Sequence, residues 1–211
     1  QNAYRNWVDP QSLDLTCVSP SLIGLMGTTY FIGFMISSIL VPRVSDSGYG
    51  RKGPYAASVV VSLISYIAIY LSTSIYITIF VFLCLGLCAG GRVCVGLAYM
   101  NEFVPLRYHN LTTTIYNLGD CCILLFQAPI YAYVPDWMAV HSVVFFIIVC
   151  QLIALLLIPE SPKFMYANRR FDKARQLLKV VARKNKAKVS NIEIDNIMFE
   201  FEFMGSGVVE E

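Results

Sequence analysis

A long uncharged run in the middle of the chain limits the possible folds most strongly. Between Lys52 and Arg92 the sequence has 39 residues (53–91) without an Asp, Glu, Lys or Arg. A helix needs about 20 apolar residues to cross the ~30 Å hydrocarbon layer of a bilayer. The run is about twice that length, so it predicts two consecutive membrane-spanning helices joined by a tight turn at Ser72-Thr73-Ser74.

The composition of the whole chain also indicates a membrane protein. Of its 211 residues, 56% are hydrophobic and 14% are charged, and the mean hydropathy is +0.59. Soluble proteins carry about 25% charged residues, so a soluble enzyme or nucleic-acid-binding protein is excluded. The sequence shows no catalytic triad, phosphate-binding loop or His/Cys cluster with ligand spacing. We therefore expect no enzyme activity, no cofactor, no metal site and no nucleic-acid partner.

The span-length criterion predicts an all-α, polytopic membrane helix bundle with five spans. Its other parts are an outer segment (1–21), a basic helical segment on the inner face (159–204) and a flexible tail (205–211). The predicted spans are Leu22–Val41, Pro54–Leu71, Tyr76–Met100, Thr112–Val134 and Trp137–Ile158.

Basic residues fall on one side of the predicted bundle. The loops 42–53 and 101–111 carry Lys or Arg, and ten more lie between Lys163 and Lys188, whereas the turns at 72–75 and 135–136 carry none. Because basic loops stay on the cytoplasmic side, the N-terminal segment is predicted outside and the tail inside. Five spans starting outside without a signal peptide suggest a further upstream span, so we expect a piece or a reduced version of a longer polypeptide.

The segment after the last span has a helical pattern. Within 161–188, apolar residues such as Phe164, Ala174 and Val181 recur at helical spacing, with Lys and Arg between them. This pattern predicts one basic amphipathic helix against the inner membrane surface or the helix ends. Glu160, three residues before Lys163, is expected to tether the turn into this helix.

Acidic and basic residues lie at the predicted inner ends of the spans. They could form an ionic network that breaks and reforms during a conformational change, or an inert solvated cluster of little energetic weight. The members of this predicted gating network are Asp46, Arg51, Lys52, Glu102, Arg107 and Glu160.

Arg92 and Asp120 are the ionised residues well inside the predicted spans. Each lies eight residues from the inner end of its span, about 12 Å in at 1.5 Å per residue. Because charges at such depth face protein or a watery cavity, we predict an Arg92–Asp120 ion pair between the third and fourth spans. The pair could be a structural clasp, or it could line a translocation path.

One face of the fourth span is polar. Thr113 lies three and four residues before Tyr116 and Asn117, and Asp120 lies four and three residues after them. Gln127, seven residues after Asp120, continues the stripe. Residues at these spacings share a helix face, and a polar face on a span indicates a cavity or a packed interface. The candidate substrate-binding residues are Arg92, Tyr116, Asn117, Asp120 and Gln127.

Three motifs at the inner ends resemble those of the major facilitator superfamily. Asp46 with Gly50-Arg51-Lys52 resembles its loop signature G-x-x-x-D-[RK]-x-G-[RK]-[RK], although Pro42 and Ser47 depart from it. Glu102 with Arg107 looks like the E-x-x-x-x-R pattern after the fourth helix. The stretch 159–164 looks like the P-E-S-P-[RK]-[WF] that ends the sixth helix in sugar porters and organic-ion transporters. Residues 14–17 (Asp-Leu-Thr-Cys) resemble the organic cation/carnitine branch.

The resemblance implies a fold and a function. It assigns the five spans to helices two to six of a twelve-helix fold, with helix one and the second six-helix half missing. It implies a secondary active or facilitative transporter that moves a small organic solute, an organic ion or a sugar-like molecule, by alternating access. The alternative is a degenerate half that serves as a structural subunit of a larger membrane complex. Its membrane would be the plasma membrane or an organelle membrane, including the mitochondrial inner membrane for a complex subunit.

Overall fold

Helices make up most of the part of the chain that the computed structural model describes, residues 18–72, 74–133, 137–185 and 191–195. A π-helical turn (Ser45–Tyr49) continues the first helix, and a short 3₁₀ turn (Leu106–Tyr108) precedes the fourth. The α-helices are α1 (Pro20–Val44), α2 (Lys52–Leu71), α3 (Ile75–Glu102), α4 (His109–Tyr133), α5 (Trp137–Leu157), α6 (Pro162–Ala167), α7 (Phe171–Lys184) and α8 (Asn191–Asp195).

Helices α1 to α5 follow the five predicted spans, with described ends that differ by three residues or fewer. Four of them, all except α4, are long and apolar enough to cross a membrane. Helix α4 has 25 residues, which is enough length for a span, but it carries the polar stripe. The count of five spans therefore stays a prediction. Residues 1–17, the turn at 135–136 and the predicted flexible tail 205–211 lie outside the described residues.

The basic segment after α5 forms two helices where the sequence predicted one. Helix α6 ends because Arg169 adopts a left-handed backbone conformation with φ of 57°. The N–H of Arg170 donates to the carbonyl of Met165 at 2.9 Å, and that of Arg169 donates to the carbonyl of Tyr166 at 3.0 Å. This pair of bonds is the Schellman motif that closes helices. The apolar spacing continues across the break, so periodicity alone predicted a single helix.

Glycines allow α1 and α3 to form the most extensive contact between two helices in the described part of the chain. A Cβ atom at Gly86 of α3 would overlap the carbonyl oxygen of Tyr30 in α1, and one at Gly33 of α1 would overlap the carbonyl oxygen of Leu83 in α3. A Cβ atom at Gly90 of α3 would overlap the side-chain oxygen of Ser37 in α1. Small residues at a contact let two membrane helices approach until their backbones touch.

The polarity of the bundle suits a lipid environment. Buried positions include hydroxyl residues, whose side chains donate to a carbonyl one turn earlier: Ser65 to Val61 at 2.8 Å and Thr78 to Ser74 at 3.0 Å. Large apolar side chains such as Phe31 are exposed instead. An apolar exterior of this extent is unusual in a soluble monomer and is expected of a surface that faces acyl chains.

The remaining long helices surround the α1–α3 pair unequally. Helix α2 packs on α3, and α5 packs on α2, whereas α4 makes few contacts with α3 or α5. The loop between α1 and α2, the end of α3 and the segment after α5 meet at one end of the bundle. We call this the basic end, because it carries the basic connections.

Candidate functional site

Arg51 joins three elements at the basic end. Its Nε atom donates to Glu102 Oε1 at the end of α3 over 2.8 Å, and its Nη1 atom pairs with Asp46 Oδ1 in the π-helical turn over 2.5 Å. Nη1 also donates to the buried Ser45 Oγ at 3.3 Å. The planar guanidinium can bind several acceptors at fixed angles, so one side chain links the end of α1, the start of α2 and the end of α3.

The two carboxylates bound to Arg51 lie in different environments. The Glu102 side chain is 15% exposed and the Arg51 side chain 19%, whereas the Asp46 side chain is 61% exposed. Burial lowers the pKa of Arg51, but its hydrogen bond with Glu102 and the charges of Glu102 and Asp46 outweigh burial and raise this pKa above its ordinary value. The Arg51–Glu102 pair is therefore the buried half of the cluster, and Asp46 is its solvent-facing half.

Glu160 binds the first turn of α2. Its Oε1 atom accepts the backbone N–H groups of Arg51 at 3.1 Å and Lys52 at 3.2 Å, and also that of Ser161 at 3.1 Å. The first N–H groups of a helix have no partner within the helix, and the helix dipole favours a negative charge there. Glu160 therefore fastens the segment after α5 to the start of α2.

Gly50 makes this approach possible. Its φ is +88°, in the left-handed region that favours glycine. A Cβ atom at this position would lie 2.7 Å from Glu160 Oε2. Both the backbone conformation and the space for the carboxylate depend on the missing side chain.

Lys52 and Tyr99 donate hydrogen bonds to backbone carbonyls at the end of α5, whereas Glu160 accepts hydrogen bonds at the start of α2. Lys52 Nζ donates to the carbonyl oxygens of Ile158 at 2.6 Å and Leu156 at 3.3 Å. The Tyr99 hydroxyl donates to the carbonyl of Pro159 at 2.5 Å. The carbonyls at a helix end lack partners within the helix and favour a cation.

The predicted gating residues are only partly brought together. Asp46, Arg51, Glu102 and Glu160 form the contacts above, and Lys52 joins them through backbone carbonyls. Arg107 lies apart: its side chain is exposed, and its guanidinium carbon lies 4.6 Å from the ring centroid of its neighbour Tyr108. Arg107 lies within the 3₁₀ turn that follows α3, beyond the cluster residue Glu102. The expected Glu160–Lys163 tether is also absent from the ion pairs between described residues, because Glu160 faces α2. Whether the cluster breaks and reforms stays a prediction.

The predicted ion pair between Arg92 and Asp120 is wrong for this structure. No N–O contact within 4 Å joins these two residues, both of which lie in the described part of the chain. Arg92 is half-buried, its Nε atom is buried without a hydrogen-bond partner, and Asp120 is exposed. Equal depth fixes the position of each charge along its helix, but not the rotation or separation of the helices. Helices α3 and α4 meet at the basic end, where Asn101 Nδ2 donates to Thr113 Oγ1 at 3.4 Å.

The other predicted substrate contacts lie on different parts of α4. Tyr116 is half-buried and lines a largely apolar cavity of about 420 Å³ with residues of α2, α3 and α5, among them Tyr55 and Tyr99. Asn117 is exposed. Gln127 lies in α4, but its side chain is outside the described part. Within the described ranges, no group of three or more His, Cys, Asp or Glu side chains is placed to hold a metal ion.

The predicted gating network did not include four residues that help to build the basic end. Ser45 and Ser161 are fully buried, and Ser161 Oγ accepts the N–H of Phe164 at 3.2 Å at the start of α6. Gly50 leaves the space that the Glu160 carboxylate occupies, and the Tyr99 hydroxyl donates to the carbonyl of Pro159. A serine before the helix-compatible Pro162 is a readable N-cap signal, whereas the role of Tyr99 depends on contacts across 60 residues of sequence.

Comparisons with known proteins identify the family. A family model described as Major Facilitator Superfamily matches residues 10–199. Solute carrier family 22 member 2 of Rattus norvegicus is 26% identical over 173 residues, which are 82% of this chain and 31% of that protein. Glucose transporter GlcP of Staphylococcus epidermidis is 27% identical over 162 residues, 70% of this chain and 36% of that protein. Human synaptic vesicle glycoprotein 2B is 27% identical over 220 aligned residues, 88% of this chain and 31% of that protein.

The matches cover most of this chain but only part of each relative. The chain spans about a third of the length of these relatives, between 31% and 36%. The family model, however, covers nearly the whole chain, and it includes all five long helices and the basic end. By its sequence and its apolar helices, this chain is a multi-pass integral membrane protein that belongs to the major facilitator superfamily.

Proposed function

We propose that the protein containing this chain transports a small organic solute, an organic ion or a sugar-like molecule, by alternating access. The family match over residues 10–199 supports this proposal, as does a relative whose name is glucose transporter. The observation that carries it is the Arg51 cluster, which joins separate helix ends through side-chain contacts that a movement could break.

The Arg51 cluster, which is Arg51 with Asp46 and Glu102, is suited to hold the helix ends together at the basic end, and we call it the latch. In alternating access, bundles of helices rock about a fixed site. A movement that separates the end of α3 from the start of α2 must break the Arg51–Glu102 contact of 2.8 Å. Because both side chains are mostly buried, the loss of this contact costs more than the loss of an exposed pair. The contact therefore stabilises the conformation in which the end of α3 lies against the start of α2.

Substrate contact in this proposal falls to the polar groups within the bundle. Arg92 of α3 and the α4 residues Tyr116, Asn117, Asp120 and Gln127 are the proposed substrate-binding residues. Asn117 and Asp120, three residues apart on one face of α4, are exposed in the described structure. In this proposal a solute reaches them from that face.

Transport assays with the full-length protein encoded by the gene test the proposal. The protein is reconstituted in liposomes, and uptake is measured for radiolabelled organic cations, organic anions, zwitterions and sugars. We expect accumulation of at least one solute class. Arg51→Gln should reduce this uptake several-fold, because the latch loses both carboxylate contacts.

Arg43→Gln is the matched control, because Arg43 is an exposed arginine at the same end of the bundle. Uptake by this variant should equal that of the wild type. A lack of accumulation for every solute would contradict transport. Stable co-purifying membrane proteins would then favour the alternative, a structural subunit of a larger complex.

A further inference from the structure

The apolar side of α7 is already covered by the protein itself. Ala174 on this side is buried, as are Phe164 of α6 and Ile194 of α8, and α7 packs on both of these short helices. An amphipathic helix that lies on a bilayer inserts its apolar side into it. Because protein occupies that side here, a contact of α7 with a membrane surface falls to its opposite, polar side.

This opposite side of α7 is exposed and basic. Four exposed residues recur at spacings of three, four and three residues, which places them on one helix face. They are Lys173, Gln176, Val180 and Arg183. Arg169 and Arg170, in the turn that leads into α7, are exposed as well. We call the four cations of this region the basic patch, which consists of Arg169, Arg170, Lys173 and Arg183.

The basic patch is not neutralised by the described part of the chain. None of its four cations forms an ion pair with another described residue. Two other basic residues of α7 do form one: Arg175 Nη1 lies 3.4 Å from Asp172 Oδ1, and Lys179 Nζ lies 2.5 Å from Asp195 Oδ1 of α8. The positive charge of the patch is therefore left for an anionic partner outside the described residues.

Helix α6 keeps the start of α7 close to the membrane boundary. Helix α5 is apolar to its end, and the Tyr99 and Glu160 contacts fasten the segment after it to the bundle. The six residues of α6 span about 9 Å at 1.5 Å per residue. The headgroup layer adds about 5–8 Å on each side of the ~30 Å hydrocarbon core, and charges act over a Debye length of about 8 Å. The start of α7 therefore lies within range of headgroup charges.

Position decides between the possible anionic partners of the patch. A polybasic segment directly inside a membrane span is attracted to anionic lipids, and each Lys or Arg near the surface adds about fivefold in affinity. Lipid headgroups are present at this depth at a high local concentration, whereas an acidic protein or a nucleic acid would have to come from solution. Val180, an apolar residue that is 42% exposed on the same face, also suits a headgroup layer that borders on hydrocarbon.

We propose that the basic patch of α7 binds the headgroups of anionic phospholipids in the leaflet next to the basic end. The contact holds α6 and α7 against the membrane through charge, while their apolar sides stay packed within the protein. This lipid contact does not depend on transport and can be measured separately.

Equilibrium binding of short-chain lipids to the purified full-length protein in detergent tests the proposal. The probes are dioctanoyl phosphatidylserine and dioctanoyl phosphatidylglycerol, which are anionic, and dioctanoyl phosphatidylcholine, which has the same chains but no net charge. Both anionic lipids should bind about tenfold or more tightly than the phosphatidylcholine. This preference should decrease between about 0.1 M and about 1 M salt, because the Debye length falls from ~10 Å to ~3 Å.

Lys173→Gln and Lys179→Gln form a matched pair on one helix. Each removes one positive charge, but Lys173 is exposed in the basic patch, whereas Lys179 is bound to Asp195. Lys173→Gln should weaken the binding of both anionic lipids about fivefold and leave phosphatidylcholine unchanged. Lys179→Gln should change neither. Adding Arg183→Gln to Lys173→Gln should weaken the binding about fivefold again. Lys173→Arg should bind like the wild type, because it keeps the charge.

Other outcomes overturn the proposal. Equal binding of the three lipids, or equal losses in the Lys173 and Lys179 variants, would show that the basic patch is not a lipid site. A lipid preference that the double variant retains would place lipid binding elsewhere. If that variant also unfolds at a lower temperature in lipid-free detergent, the patch makes a contact within the protein instead. Uptake is measured separately, so lipid binding without uptake would support the patch and contradict transport.

Discussion

At the scale of single residues, the backbone conformation and the space available at position 50 both require glycine. Its φ is +88°, and the Glu160 carboxylate occupies the space where a side chain would begin. We predict that Gly50→Ala lowers the free energy of unfolding by about 1–3 kcal/mol from backbone strain alone, because φ of 88° with ψ of 176° is a conformation that essentially only glycine adopts. The displaced Glu160 carboxylate should add to this loss. Thermal unfolding in detergent measures the effect.

Gly53→Ala is the control for this substitution. Gly53 lies in the first turn of α2, and a Cβ atom there would meet nothing within 4 Å. Alanine favours helix over glycine by about 1 kcal/mol, so this variant should be as stable as the wild type or more stable. Equal effects of the two substitutions would contradict the role given to Gly50.

The two carboxylates bound to Arg51 should contribute unequally to stability. Glu102 is 15% exposed and Asp46 is 61% exposed. Glu102→Gln should cost about 2–3 kcal/mol, since it removes one partner of a mostly buried pair. Asp46→Asn should cost less than about 1 kcal/mol, because water screens exposed pairs. Unfolding midpoints of both variants check the order, and a larger effect at Asp46 would refute it.

Arg51 should stabilise the protein equally at neutral and alkaline pH. Its pKa is raised above the ordinary arginine value by Glu102 and Asp46, which together outweigh burial. A group with a raised pKa contributes fully below its unfolded-state pKa and loses the contribution only as pH rises through the folded-state pKa. The stability difference between wild type and Arg51→Gln should therefore be the same at about pH 7 and about pH 10. A difference that disappears at the higher pH would contradict this assignment.

The interface between α1 and α3 is the critical contact at the element scale. Gly86→Ala would place a methyl group against the Tyr30 carbonyl, which is backbone and cannot rotate away. Overpacking of this kind costs about 1–3 kcal/mol or more. We predict a lower unfolding temperature in detergent for Gly86→Ala. Gly27→Ala in α1 is the control, since a side chain there meets nothing within 4 Å; equal stability of both variants would disprove close packing.

The sequence predicted the long helices better than it predicted where the short helices end and which side chains meet between helices. The uncharged run and the apolar spacing indicated the long helices, because helix length and hydrocarbon thickness are fixed quantities. The break at Arg169 was missed, since glycine is the usual residue at a left-handed helix end and arginine gives no such signal. The clustering of Arg51 with Glu102 and Glu160 was predicted because all three lie at helix ends on one side. The Arg92–Asp120 ion pair was predicted wrongly, because helix rotation cannot be derived from depth.

At the scale of the whole molecule, the predicted topology can be tested directly. The positive-inside rule places Ser74 on the outer side and Lys184 on the inner side. Epitope tags inserted at these two positions in the full-length protein should be reachable from opposite sides of the membrane in intact and permeabilised cells. Tags reachable from the same side in intact cells would contradict the five-span arrangement.

The contacts of Glu160 and Lys52 have a consequence for how the molecule can move. Glu160 follows α5 and neutralises the positive end of α2, while Lys52 opens α2 and neutralises the negative end of α5. Each helix thus supplies the counter-charge for the dipole of the other. These reciprocal contacts tie the start of α2 to the end of α5. A rocking motion of these two helices away from the end of α3 would have to break both the Arg51–Glu102 and the Tyr99–Pro159 contacts.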